Sequence, residues 1–197
     1  MTNILLGVTG SVAAIYTPEL VADLRGAGHD VKVVATKTSL YFFDPQKVGL
    51  TPAGARDPQV VVLDSDEWPD SHYQRGDPVL HIELRRWASL LLIAPLDANT
   101  LAKLALGIAD NTLTCVWRAW DRQRPVVLAP AMNTLMWEHP ATARHLRQVA
   151  DDVGPALQIM PPVSKVLACD DEGIGAMAPR DAIVTACGLA VGAIPER

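Results

Sequence analysis

Several short stretches of this sequence carry side chains whose type and spacing can do chemistry. Gly7-Val8-Thr9-Gly10-Ser11-Val12 follows an apolar run with a glycine turn and a hydroxyl. Free backbone N–H groups at a helix start converge on one spot and the helix dipole favours negative charge there, so such a turn is an anion site. Its spacing is not the dinucleotide fingerprint, because the third glycine is missing where a helix would pack on the strand. A mononucleotide phosphate fits better, and a tight turn with Ser11 as helix cap accounts for the same residues. Thr36-Lys37-Thr38-Ser39 ends a second apolar run in hydroxyls suited to a phosphate or to capping, and Pro95-Leu96-Asp97-Ala98-Asn99-Thr100 opens a helix with two good caps, Asp97 and Asn99. Ala129-Pro130-Ala131-Met132-Asn133-Thr134-Leu135-Met136-Trp137 sets Asn133 and two methionines at a strand mouth. By composition alone those methionines are core filler. His81, in His81-Ile82-Glu83-Leu84-Arg85-Arg86-Trp87, carries a side chain that exchanges a proton at an unperturbed pKa of about 6.5. Apart from its motif it reads as an alternating strand residue, and His29, His72, His139 and His145 read as surface residues.

The elements that must position these groups alternate short apolar runs with longer amphipathic stretches, the pattern of an open parallel α/β sheet with helices on both faces. Ile4 to Val8, Val31 to Ala35, Val60 to Leu63, Leu90 to Ala94, Val126 to Ala129 and Leu157 to Met160 read as strands. Val12 to Ala27, with Val12, Ile15, Leu20, Val21 and Leu24 near helical spacing, reads as the first helix; Ala98 to Arg118 and Thr134 to Val149 read as later crossovers. Most of the motifs fall at the carboxyl ends of strands, where open sheets bind ligands. Thr51 to Pro78, rich in Pro, Asp and Gly, reads as a surface excursion. Pro161 to Pro179, with three acidic residues together at Asp170, Asp171 and Glu172, reads as a lid or binding flap.

Composition narrows the function. One domain over the 197 residues is the expectation, with 49% hydrophobic and 20% charged residues, as in a globular protein with a real core. A net charge of -5 gives no basic footprint for nucleic acid. No apolar run approaches the roughly 18 residues of a membrane span. The three cysteines, Cys115, Cys169 and Cys187, have no metal-like spacing, and their odd number argues against a disulfide framework. With no basic region ahead of Ile4 to mark a signal peptide, a cytoplasmic protein is expected.

Taken together, Gly10-Ser11, the His81 to Trp87 run, Pro95 to Thr100, Pro130 to Trp137 and Leu167-Ala168-Cys169 occur in an order and at separations that resemble the homo-oligomeric flavin-containing cysteine decarboxylases, most closely the phosphopantothenoylcysteine decarboxylases. The resemblance runs from about Ile4 to Met177. It implies a flavodoxin-like or Rossmann-like sheet and a homotrimer, alone or within a larger assembly such as a dodecamer, with FMN at a subunit interface. It places FMN on Gly10, Ser11, Val12, Ala13, Thr36, Lys37, Thr38, Asp97, Ala98, Asn99, Thr100 and Ala131. It makes His81 the catalytic base, Asn133 the ligand of the substrate carboxylate, and Met136, Ala168 and Met177 substrate neighbours, with Cys169 as proton donor when the intermediate is reduced. The chemistry is coherent: a cysteine carboxylate has no electron sink until its β-carbon gives a hydride to the flavin, after which the thioaldehyde accepts the electrons of decarboxylation.

Three departures bear on the substrate. The coenzyme A pathway enzymes carry a lysine where this chain has Tyr16, a lysine or arginine where it has Val166, and Gly-Asp where it has Asp170-Asp171. A phosphorylated substrate normally meets Lys or Arg, so the expectation is a peptide ending in cysteine, decarboxylated to an aminoenethiol. The alternatives are phosphopantothenoylcysteine, with Lys165 or Arg180 supplying the cation, and a non-catalytic regulatory subunit on the same fold. Retention of Cys169 speaks for the phosphorylated substrate, and presence of both His81 and Asn133 speaks against the regulatory subunit.

Overall fold

The computed structural model describes residues 2–69, 72–166 and 172–192. Its six apolar runs pair into one parallel sheet: β1 (Asn3–Val8), β2 (Asp30–Ala35), β3 (Val61–Leu63), β4 (Leu90–Leu96), β5 (Val126–Pro130) and β6 (Leu157–Ile159), in the order β3-β2-β1-β4-β5-β6. Of the doubly wound orders this is the Rossmann arrangement, and its switch point lies between β1 and β4. Those two strands pair in register from Ile4 opposite Leu90 to Gly7 opposite Ile93.

Parallel strands covered on both faces read as continuous apolar runs rather than alternating ones, and every residue of β4 is buried. The period of two still sorts them. Ile4, Leu6, Val8, Leu90 and Leu92 face one core with Leu20, Val21 and Leu24 of α1 (Thr17–Gly26) and Ile183, Ala186 and Cys187 of α8 (Arg180–Gly192). Leu5, Leu91 and Ile93 face the other core. They meet Leu84 of α3 (Leu80–Trp87), Leu101 and Leu104 of α4 (Ala98–Leu106), Leu113 and Val116 of α5 (Thr112–Arg118), and Val149 of α7 (Pro140–Val153). Each fully buried Leu or Ile contributes about 1.5–3 kcal/mol to holding the layers together.

The boundaries differ from the sequence expectation where local chemistry overrides periodicity. The first helix divides into a 3-10 turn, Val12–Tyr16, and α1. The stretch Ala98 to Arg118 is two helices, because Gly107 takes a left-handed φ of 70° and Asn111 caps α5 by accepting from the Thr114 N–H. Thr134 to Val149 is also two, α6 (Thr134–Glu138) and α7, since Pro140 cannot continue a helix but suits the first position of a new one. The Thr51 to Pro78 excursion holds β3 and a single helical turn, α2 (Asp64–Glu67). His81 lies on helix α3, not on a strand. The expected flap is a hairpin of β7 (Val163–Val166) and β8 (Glu172–Ala176); its Ala168 and Cys169 lie outside the described residues. Among those described, no helix is long and apolar enough to cross a membrane.

Candidate active site

Thr9, fully buried just past β1, ties the two strands of the switch point together. Its backbone N–H and hydroxyl both donate to the Pro95 carbonyl, at 3.3 and 2.8 Å, and its oxygen accepts from the Asp97 N–H at 2.7 Å. Asp97 then braces two loops with one carboxylate. One oxygen accepts from the Thr100 N–H at 2.6 Å and caps α4; the other accepts from the Gly10 N–H at 3.0 Å. Gly10 sits where three strand ends converge. A Cβ there would lie 2.6 Å from Thr38 Oγ1 and 3.1 Å from Asp97 Oδ2, so a larger residue would force the turn open.

This turn forms one wall of a cleft of about 1520 Å³. Gly10, Ser11, Val12, Ala13, Asp97, Ala98 and Ala131 line it, as do Asn133, Met136 and Met177. A drug-sized ligand fills roughly 300–1,000 Å³, so the cleft has room for a mononucleotide cofactor and part of a substrate. The turn suits a phosphate: Ser11 caps the 3-10 turn by accepting from the Ala13 N–H, and the surrounding small residues let a ligand approach the backbone. The remaining residues singled out for the cofactor do not line the cleft. Thr36 and Thr100 are buried behind it, with the Thr36 hydroxyl donating to the Val8 carbonyl at 3.1 Å. Lys37 and Asn99 are exposed, and Thr38 stands against Gly10.

The opposite wall is the β5 mouth. Asn133 caps α6 by accepting from the Leu135 N–H at 2.9 Å, which fixes its side chain. The base of the hairpin leans on this loop: Met132 N–H donates to the Gly175 carbonyl at 3.0 Å. A Cβ on Gly175 (φ 154°) would run into the Met132 carbonyl oxygen. The hairpin is therefore docked at its base on the Asn133 loop.

His81 stands apart, and it is not among the residues lining the cleft. Its ring Nδ1 lies 2.5 Å from Glu67 Oε1, and its backbone N–H donates to Glu67 Oε2 at 2.9 Å. Two further residues were not foreseen in these places. Glu67 lies within Thr51 to Pro78, which reads as a surface excursion. Arg180, weighed only as a substitute cation, starts α8, lines the cleft that Tyr16 also lines, and donates from Nε to Asp23 at 2.9 Å. Among the described cleft residues it is the one cation. The two described cysteines have other surroundings: burial pushes the Cys187 thiol up to about 12, and burial, then Glu67, raises that of Cys115.

The family model described as Flavoprotein matches residues 1–189. A phosphopantothenoylcysteine decarboxylase of Mus musculus is 51% identical over 183 residues, covering 92% of this chain and 83% of that protein. A solved PPC decarboxylase mutant complexed with pantothenoylaminoethenethiol superposes with a TM-score of 0.84 at 46% identity, over 98% of this chain and 99% of that one. The FMN binding protein AtHal3 superposes with a TM-score of 0.81 at 46% identity, over 99% of each chain. These likenesses overturn the expectation of a peptide substrate, since half of all residues over nine-tenths of the chain are shared with a phosphopantothenoylcysteine decarboxylase. Tyr16 and Arg180 line the same cleft, where Arg180 is paired with Asp23.

Proposed function

The chain belongs to the Flavoprotein family, and from that premise we propose that it is an FMN-dependent phosphopantothenoylcysteine decarboxylase. The observation that carries the reading is that one cleft, with room for a mononucleotide cofactor and part of a substrate, joins the glycine turn to Asn133. FMN bound there supplies an acceptor for a hydride and, later, its return. The protein's part is to hold and to move protons. The Gly10 to Ala13 turn receives the cofactor phosphate. Asn133, whose side-chain oxygen caps α6, meets the substrate carboxylate, and Met136 and Met177 shield that end from water. Arg180 at the rim meets the substrate phosphate. Cys169 gives the proton that completes reduction of the enethiol to the thiol. The solved complex of a cysteine-to-serine PPC decarboxylase mutant with pantothenoylaminoethenethiol supports that role.

His81 takes the thiol proton. Its position outside the cleft supports an assembly in which a neighbouring copy brings its own His81 to the flavin, and a homotrimer closes such a ring. The exposed apolar rim of the cleft, Val12, Ile15, Tyr16 and Met136, supports the same arrangement.

Incubation of the holoprotein with phosphopantothenoylcysteine, followed by mass spectrometry, tests the reading. The expected product has lost carbon dioxide alone, with the flavin oxidised at the end of each turnover. A product that has also lost two hydrogens, or no reaction while a cysteine-ended peptide is consumed, overturns it.

A further inference from the structure

We propose that Glu67 is a positioning residue for this reaction: its carboxylate holds the His81 imidazole with the proton on Nδ1, so that Nε2 is the atom that receives the substrate's thiol proton. The inference rests on His81 acting as the base. Its own support is the geometry around Glu67. Both carboxylate oxygens serve one residue, Oε2 accepting from the His81 backbone N–H at 2.9 Å and Oε1 lying 2.5 Å from the ring Nδ1. The Glu67 side chain is 5% exposed and that of His81 23%. A buried carboxylate demands donors, and an ionised one can only accept. The ring nitrogen facing it therefore carries the hydrogen, and in a neutral imidazole the other nitrogen has the lone pair. When the S–H bond breaks and Nε2 takes the proton, the imidazolium forms against a carboxylate already in place. A charge-assisted bond of that kind is shorter and about twice as strong as a neutral one.

The same contact does structural service. Val79, which precedes α3, provides no side-chain cap, and Glu67 accepts one of the amide hydrogens that a helix start leaves without a partner. Base and helix are thus aimed by one group. That group is itself anchored. In α2, Asp66 pairs with Arg56 through both oxygens at 2.7 and 2.9 Å and accepts from the Leu63 N–H at 2.8 Å. Asp64 accepts from the Lys37 N–H at 3.0 Å, tying α2 to the end of β2. Neighbouring carboxylates in this turn face away to brace it, and Glu67 alone reaches the histidine.

The experiment uses the FMN-loaded protein with phosphopantothenoylcysteine and the variants Glu67→Ala, Glu67→Gln and His81→Asn. Glu67→Ala is expected to lower kcat by about 10²-fold, the lower end of what a well-placed general base contributes, with KM and flavin content unchanged. Glu67→Gln, whose carbonyl oxygen can still accept from Nδ1, is expected to recover part of that loss. Nitrogen-15 NMR of histidine-labelled protein, with the His81 signal identified by its disappearance in His81→Asn, should show Nδ1–H in the wild type and a mixture of tautomers in Glu67→Ala. Wild-type kcat in Glu67→Ala, or a wild-type ring protonated on Nε2, overturns the inference while leaving His81 as the base. Turnover retained by His81→Asn removes the base itself, and with it the role given to Glu67. If Glu67→Ala does not fold, the wild-type tautomer and the Gln variant decide.

Discussion

The cleft and the His81 corner are built by different means. The cleft follows from topology: β1 and β4 meet at the switch point, and Thr9 and Asp97 knit their ends so closely that a Cβ at position 10 would press on Thr38 and Asp97. The corner lies on the other side of β2, where a four-residue helical turn presents one carboxylate to the first turn of α3. Backbone geometry makes the first, and a chain of side-chain contacts makes the second, from Arg56 through Asp66 to α2 and from Glu67 to His81. A cofactor site of the first kind tolerates drift in its side chains but not in its glycine. A base of the second kind depends on every link.

The largest effect should come from breaking the cleft at its tightest point. Gly10→Val drives a branched side chain into Thr38 and Asp97. The variant is expected to purify without flavin and without measurable turnover, as read by absorbance and by FMN titration. His81→Asn is the mirror case. It should keep its flavin and lose about 10²–10⁴-fold in kcat. A Gly10→Val protein that still binds FMN tightly would show that the turn is not the phosphate cradle.

How much of this was legible in the sequence divides along the same line. The strands could be read because a sheet covered on both faces leaves uninterrupted apolar runs, and Gly10, Asn133 and Met136 could be read because their motifs are contiguous. The helix carrying His81 was harder. His81-Ile82-Glu83-Leu84 alternates like a strand, yet Leu80, Leu84 and Trp87 are the residues that pack inward, at helical spacing. The breaks at Gly107 and His139-Pro140 were present in the sequence but were outweighed by periodicity running through them. Glu67 could not be singled out, because it stands 14 positions before His81 in the chain and only the fold brings them within hydrogen-bond distance. Arg180 belongs with it. The cations lost at Tyr16 and Val166 were visible in the sequence, whereas the placement of α8, with Arg180 along the cleft, was not.

A milder change at the cleft rim separates phosphate recognition from chemistry. Arg180→Gln removes the charge and leaves the glycine turn on the far wall untouched. Hydrogen bonds to charged groups contribute about 1.5–3 kcal/mol, and solvent screening at this half-exposed site takes the lower end, so KM for the phosphorylated substrate is expected to rise roughly tenfold. Pantothenoylcysteine lacking the phosphate should show no such change, and kcat should hold for both. Equal increases in KM for the two substrates would mean that Arg180 shapes the rim through Asp23 without meeting the phosphate.

The smallest effect tests the anchoring of the corner. Burial raises the Asp64 carboxyl above its ordinary value of 3.8, against the lowering influence of the Lys37 N–H that donates to it. In the window above 3.8 the folded chain therefore holds a proton that the unfolded chain has released, and stability falls as pH rises through it. Asp64→Asn has no proton to lose, and its side-chain oxygen can still accept from Lys37. The difference in Tm, variant minus wild type, should be least below pH 3.8 and should grow through the mildly acid range before levelling. The gain is modest because Asp64 is only half-buried. A difference that stays flat or falls with rising pH would show that desolvation is not the dominant cost at Asp64. A loss of kcat in the same variant would show that α2 needs the charge, and not only the hydrogen bond, to hold Glu67 against His81.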